Sequence, residues 1–215
     1  MKIALAGATG LVGSRTLSRL LADGHDLVSV GRRPSGAHHP RLSERVVDFA
    51  SLPPLPPVDA AVCALGTTMA VAGSKAAFRA VDHDAVLAFA TAAQNAGARH
   101  LILVTAIGAH PEAAAFYSRV KGEVEAAVGK LGFARIDIIR PGVIIGPRPD
   151  RRPLESVLQW LAPKLDSVLP ASFARFGSIP AETIADAIAA LVFQQGTGAR
   201  AHTNAELRRL ALACA

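Results

Sequence analysis

Glycines at positions 7, 10 and 13 stand directly behind a short apolar run, Lys2–Ala6, and in front of a helix-patterned stretch, Leu11–Ala22. Few folds accept that order. A glycine at 7 lets a strand turn tightly into a helix, one at 10 lets a ligand approach the backbone, and one at 13 lets the helix lie close on a sheet. Amides left unpaired at the start of such a helix, at the positive end of its dipole, suit a pyrophosphate. Thr9, Leu11 and Val12 complete the segment Gly7-Ala8-Thr9-Gly10-Leu11-Val12-Gly13. Its spacing and its strand–turn–helix context predict dinucleotide binding. The plainer alternative is that the glycines serve the turn alone.

Further short apolar runs alternate with helix-length stretches along the chain, which is the pattern of a parallel sheet covered by helices on both faces. Strands are predicted at Lys2–Ala6, Asp26–Gly31, Arg45–Val47, Asp59–Ala64, His100–Thr105 and Ala134–Arg140. Helices are predicted at Leu11–Ala22, Asp82–Ala96 and Ala113–Leu131, with Gly24, Gly97 and Gly132 placed to close them. Four prolines between Leu52 and Pro57 mark a surface connector. Beyond Arg140 the texture changes. Breakers surround one predicted helix at Leu154–Leu165 and precede another at Ala181–Phe193, and no complete further βαβ unit is legible. The fold expected is α/β, a Rossmann-type doubly wound parallel sheet in a single domain over 1–215. Its core runs over 1–145, and 146–215 forms a small C-terminal lid facing the substrate.

Composition narrows the classes further. Of the 215 residues, 51% are hydrophobic and 19% charged, which supports a sizeable core and argues against disorder. No apolar run reaches the length of a membrane span, and the apolar start carries no signal-peptide pattern. Two cysteines, Cys63 and Cys214, make neither a disulfide framework nor a zinc site, so a reduced protein of the cytoplasm is expected. The net charge of +6 comes from scattered arginines without interleaved aromatics, which fits a phosphorylated small ligand better than nucleic acid. Seven histidines, among them His38, His39 and His83, lack companions at metal-ligand spacing, so no metal is expected. No Gly-x-Ser-x-Gly elbow is present, which argues against a serine hydrolase.

The end of the second predicted strand bears on which dinucleotide binds. A fold that prefers NAD usually carries an acid there for the ribose 2′-hydroxyl. This chain has Gly31-Arg32-Arg33. Guanidinium groups pair bidentately with phosphate oxygens, so NADP(H) is preferred and NAD(H) stays open, as does a solvated role for either arginine. Asp48, after the third strand, is placed either to bond the adenine or to hold a turn.

Tyr117 is the only tyrosine of the chain, and Lys121 lies one helical turn after it. An ammonium beside a phenol favours the phenolate and draws its pKa down from about 10. Such a pair can move a proton to or from a carbonyl oxygen while hydride moves at carbon, and Thr105, at the neighbouring strand end, could hold the same oxygen. Phe116 and Trp160 are candidates for a substrate pocket or for the core. Arg148, Arg151 and Arg152 are candidates for contact with phosphate or an acidic substrate, or for solvent.

These residues together resemble the short-chain dehydrogenase/reductases, and within them the atypical, Tat-interacting-protein type. The resemblance runs from the Gly7–Gly13 pattern through Gly31-Arg32-Arg33, Val46-Val47-Asp48-Phe49, Leu65-Gly66-Thr67-Thr68 with Ala72-Gly73, and Val81-Asp82-x-Asp84. It continues through Tyr117-x-x-x-Lys121-Gly122-Glu123-Val124-Glu125 and Arg140-Pro141-Gly142-Val143, and covers roughly residues 2 to 195. It implies an NADP(H)-binding Rossmann fold with Thr105, Tyr117 and Lys121 as the catalytic set. It further implies that Leu65, Gly66 and Thr67 pass the adenosine ribose, and that Pro141, Gly142 and Val143 line the nicotinamide. The chain departs from the type at Thr105-Ala106, where close relatives carry two serines. The activity expected is hydride transfer between NADP(H) and a small carbonyl or alcohol, without a membrane or nucleic-acid partner. The rivals are an NADPH-sensing module that binds a protein partner and, more weakly, a nucleotide-sugar epimerase or dehydratase. A homodimer is compatible with the fold.

Overall fold

The structure, a computed structural model, describes residues 1–147 and 177–213. Arg148, Arg151, Arg152, the helix expected at Leu154–Leu165 with Trp160, and Cys214 lie outside the described residues.

Seven parallel strands form the central sheet in the order β3-β2-β1-β4-β5-β6-β9. They are β1 Lys2–Ala6, β2 Asp26–Gly31, β3 Leu42–Val46, β4 Ala60–Cys63, β5 His100–Val104, β6 Arg135–Ile139 and β9 Gly198–His202. Two short parallel strands, β7 Val143–Ile145 and β8 Ser178–Pro180, pair beside it. The helices are α1 Leu11–Ala22, α2 Met69–Ala72, α3 Lys75–Arg79, α4 Val86–Asn95, α5 Phe116–Val128, α6 Ala181–Val192 and α7 Asn204–Leu212.

Side chains alternate between the two faces of each strand, and each face has its own apolar cluster. Ile3, Leu5, Leu27, Val62, Ile102 and Ile139 meet Leu17 and Leu20 of α1, Ile184, Ile188 and Leu191 of α6, and Leu207 of α7. Ala4, Ala6, Val28, Val30, Leu101 and Leu103 meet Val86, Phe89 and Ala93 of α4, and Val124 and Val128 of α5. Burial of each larger aliphatic or aromatic side chain contributes about 1.5–3 kcal/mol. The chain runs in opposite senses across the sheet on either side of β1. The carboxyl ends of β1 and β4 therefore open a crevice at the switch point, where ligands of such sheets bind.

The structure corrects the sequence expectations in three places. First, β3 begins at Leu42 rather than Arg45. It is a charged, exposed edge strand, so no inside-outside alternation marks its start, and only pairing with β2 (Leu27 opposite Leu42) defines it. Second, a complete further unit does follow Arg140, because β6 reaches the parallel strand β9 with α6 in the crossover. The sequence Gly198-Ala199-Arg200-Ala201-His202 has no β-branched run, so it is silent as a strand. The sheet and its core thus extend past the boundary expected at 145/146. Third, the helix expected from Asp82 starts at Lys75, where the Ser74 hydroxyl accepts from Ala77 N–H at 3.1 Å. It then passes through a π-helical turn, Ala80–Ala85, before α4. A π-helical turn frequently accompanies a functional site.

Candidate functional site

The turn from β1 into α1 is closed so tightly that it admits no side chain at Gly7 or Gly13. Gly7 has φ +90°, and a Cβ there would lie 2.5 Å from the Ala64 carbonyl oxygen. A Cβ on Gly13 would lie 2.1 Å from the Gly7 oxygen. Gly10 stands at the N-cap of α1 in extended conformation, with no side chain capping the helix and no acid in its first turn. The helix thus offers its first amides and positive dipole end outward, and Leu11 and Val12 turn inward beside it. A cradle this bare fits a pyrophosphate.

A cleft of about 890 Å³ opens on the cradle. Gly7, Thr9, Gly10, Arg32, Arg33, Asp48, Leu65 and Gly66, all expected in the site, line it together. Arg32 and Arg33 are exposed, and neither forms an ion pair with a carboxylate among the described residues. The Asp48 carboxylate accepts from Ala50 N–H at 3.0 Å and so caps the short 3₁₀ turn Phe49–Ser51, while still facing the cleft. Sequence reasoning missed Ser29, Phe49, Val81, Asp84, Ala85 and Ala88 on the same walls. Small and apolar wall positions carry no signal beyond that of a core residue, and Ser29 and Asp84 read as ordinary polar positions on a strand and a helix.

Beyond the Gly66 turn, α5 presents Tyr117, Lys121 and Glu125 one turn apart along one stripe. Lys121 is 4% exposed, and its Nζ lies 2.7 Å from Oδ1 of Asp82, which is wholly buried in the π-helical turn. The other Asp82 oxygen accepts from Thr67 N–H at 2.8 Å. A Cβ on Gly66 would be 3.6 Å from the lysine nitrogen, so the pair lies directly behind the turn that lines the cleft. Tyr117 is 38% exposed and its ring stands 5.5 Å from that of Phe78. Burial pushes its phenol above the ordinary value, Lys121 pulls it down, and Asp82 pushes it up again. The net direction is upward, which corrects the expectation of a lysine-depressed phenol: burial outweighs the lysine's pull, which Asp82 offsets only in part. Cys63, at the end of β4, is fully buried and its thiol is pushed up to about 12 by burial, so it stays a neutral core residue.

Thr105 is 5% exposed and its hydroxyl donates to Glu125 Oε1 at 2.6 Å. The same carboxylate receives Arg140 through Nε at 3.1 Å and through a close Nη2 contact. Neither Glu125 nor Arg140 stands out in the sequence as part of the site; each is one charge on an amphipathic element. The segment Pro141-Gly142-Val143 follows Arg140 directly. Asn204, at the start of α7, accepts from Gly142 N–H at 3.0 Å and donates to the Gly177 carbonyl at 2.8 Å, and Val143 is 47% exposed. Asn204 was also invisible in the sequence, since it acts from the far end of the chain.

Sheet order and glycine cradle define a Rossmann-type dinucleotide-binding protein. The chain belongs to the NAD(P)H-binding family, whose sequence model matches residues 7–131. It is 35% identical over 205 residues to protein HTATIP2 of Rattus norvegicus, covering 90% of this chain and 82% of the relative. It is 37% identical over 180 residues to the mitochondrial protein fmp52 of Emericella nidulans, covering 77% and 76% respectively. Among solved structures, MoeE5 in complex with UDP-glucuronic acid and NAD superposes with a TM-score of 0.72 at 16% identity, over 94% of this chain and 75% of that one. That likeness shows the fold. The fungal relatives also overturn the expected cytoplasmic location, because they are mitochondrial by name. Scarcity of cysteine separates oxidising from reducing surroundings and cannot distinguish one reducing compartment from another.

Proposed function

We propose that the chain is an NADP(H)-dependent reductase of small carbonyl compounds. The observation that carries this reading is that Lys121 lies behind the same Gly66 turn that lines the cofactor cleft. The lysine of the Tyr117–Lys121 stripe thereby stands directly behind one wall of the cleft. Gly7, Thr9, Gly10 and the amides opening α1 would hold the pyrophosphate, with Val12 and Gly13 packing that helix on the sheet. Arg32 and Arg33 would take the 2′-phosphate, Asp48 the adenine, and Leu65, Gly66 and Thr67 the ribose. Pro141, Gly142 and Val143 would line the nicotinamide, whose ribose would be bonded by Lys121.

When bound, the reduced cofactor supplies hydride to the carbonyl carbon. The carbonyl electron pair moves onto oxygen, which takes the proton from the Tyr117 phenol, and the phenolate regains a proton from water. Thr105 donates its hydroxyl hydrogen bond to Glu125 and has none left for a carbonyl oxygen, so the phenol alone donates. Absorbance of reduced nicotinamide, followed with aldehydes, ketones and quinones, tests the reading. Tyr117→Phe is expected to abolish consumption and to leave NADPH affinity within about twofold. Consumption that survives the substitution overturns the assignment.

The second reading is an NADPH-responsive binding module acting on a protein partner. It is favoured by Ala106, which has no hydroxyl, together with the commitment of Thr105 to Glu125. Tight NADPH binding without consumption on any carbonyl would support it.

A further inference from the structure

Strand β6 ends at Ile139 and β7 begins at Val143, so the peptides between them belong to no strand. Their backbone groups are nevertheless paired. Arg140 N–H donates to the His202 carbonyl at 2.9 Å, and the Pro141 carbonyl accepts from Ile107 N–H at 2.9 Å. Gly142 N–H donates to Asn204 Oδ1 at 3.0 Å, and Val143 N–H to the Gly177 carbonyl at 3.2 Å. Asn204 is 2% exposed and also donates from Nδ2 to that Gly177 carbonyl at 2.8 Å. The place demands one acceptor and one donor on a short stem, which an amide supplies and a carboxylate or an alkyl group does not. Asn204 is itself held in place as the first residue of α7, behind Thr203, whose N–H donates to Glu206 at 2.9 Å. Arg208, one turn further on, donates to the Ser178 carbonyl at 2.7 Å.

We propose that Asn204 is a positioning residue for the nicotinamide end of the cleft. Through the Gly142 amide it fixes the peptides of Pro141-Gly142-Val143 against which the ring would lie. The inference rests on the reading above that this segment lines the nicotinamide.

The order of the sheet supports it. A dinucleotide seated on the cradle at β1, with its adenine half toward the arginines after β2, would run its other half across β4 and β5 toward β6. Neighbouring strands stand about 4.8 Å apart, so β6 lies about 14 Å from β1. The segment leaving β6 is tied on one side to Ile107, beyond β5, and on the other to β9 and α7. Glycine at 142 has the freest backbone of any residue and no side chain to hold its place, so the hold comes from Asn204. Without it the peptide beside the ring is released, while the cradle, three strands away, is untouched. Hydride transfer is sensitive to such a release, because a misplacement of about 1 Å can cost about 100-fold in rate.

The test reads the ring directly, through the fluorescence of NADPH bound to the full chain. Calorimetry beside it gives affinities for NADPH and for adenosine 2′,5′-bisphosphate, which lacks the nicotinamide. Asn204→Leu removes both bonds and is expected to move the fluorescence of bound NADPH toward that of the free cofactor. It should lower kcat for a reducible carbonyl about 10- to 100-fold and leave KM and the bisphosphate affinity unchanged. Asn204→Asp keeps the acceptor for Gly142 and should retain the wild-type fluorescence even with a lower melting temperature; it decides the matter if the leucine variant does not fold. Arg208→Met removes a neighbouring tie from α7 to β8 without touching Gly142, and should lower the melting temperature without moving the fluorescence. Wild-type fluorescence in Asn204→Leu overturns the proposal. So does an Asn204→Asp variant that resembles it, or an Arg208→Met variant whose fluorescence moves as far. Equal losses of NADPH and bisphosphate affinity in Asn204→Leu would mean general damage to the fold, and would overturn it too. Moved fluorescence in a protein that consumes no carbonyl would sink the reductase reading and leave the role of Asn204 standing. Consumption abolished by Tyr117→Phe, with fluorescence indifferent to Asn204, would do the opposite.

Discussion

The ammonium of Lys121 and the carboxylate of Asp82 stand 2.7 Å apart with side chains 5% and 0% exposed. Removing one member of such a pair strands the other charge in a poorly solvated place, whereas removing both does not. Lys121→Met and Asp82→Asn are each expected to lower unfolding free energy by about 3 kcal/mol. The double variant should lose clearly less than the sum, which urea denaturation of the four proteins would measure as a double-mutant cycle. Additive losses would mean that the pair is not coupled.

Arg32 and Arg33 directly follow β2, where an acid would favour the bare ribose. Replacing both by alanine is expected to weaken NADPH binding by about 10- to 100-fold, the loss of one or two charge-assisted hydrogen bonds. NADH binding should change little. Nicotinamide fluorescence titrations with the two cofactors compare them directly, and an equal loss for both would remove the arginines from the 2′-phosphate.

Glycine substitutions separate the cradle from ordinary helix ends. Gly13→Ala places a methyl group against the Gly7 carbonyl and is expected to cost about 3 kcal/mol or more, along with cofactor binding. Gly24, with φ +82° and nothing within 4 Å of its added Cβ, closes α1 without touching the site. Gly24→Ala should cost only about 1 kcal/mol and leave binding intact. Thermal melts with and without NADPH distinguish the two cases.

Asp137 of β6 is wholly buried and accepts from His100 and His202 at 2.7 Å each and from Arg135 at 2.5 and 3.1 Å. Burial alone would raise its pKa, but these donors together outweigh it and hold the carboxyl well below the usual range. A depressed folded-state pKa adds stability that is fully present above the unfolded value of about 4 and is lost as pH falls below it. Unfolding free energy should therefore fall steeply with acid below about pH 4. Asp137→Asn should be destabilised by about 3–5 kcal/mol near neutrality, because Arg135 loses its carboxylate, and should show a flatter acid limb. An unchanged acid limb in the variant would place the acid sensitivity elsewhere.

Legibility followed the range of the interactions. The glycine cradle, five of the six expected strands and the arginine pair could be read because strand alternation, helix periodicity and turn chemistry are local. β9 escaped because a small-residue edge strand has no alternation to show, and its identity comes from pairing with β6. The Lys121–Tyr117 relation was read correctly as a shared helix face. The lysine's pull on the phenol was read with the right sign, but the net direction was not legible, because the burial that outweighs it comes from packing between distant segments.

The order of residues by itself determined that this chain builds a doubly wound parallel sheet with a tight glycine turn behind its first strand. The reason is that a few neighbouring residues suffice to define backbone conformation there. Only the tertiary structure decided which charges meet: Lys121 with Asp82, Glu125 with Thr105 and Arg140, and Asp137 with two histidines and an arginine. Those partners are distant along the chain, and the strength and even the sign of their effects depend on burial. Burial is a property of the assembled layers.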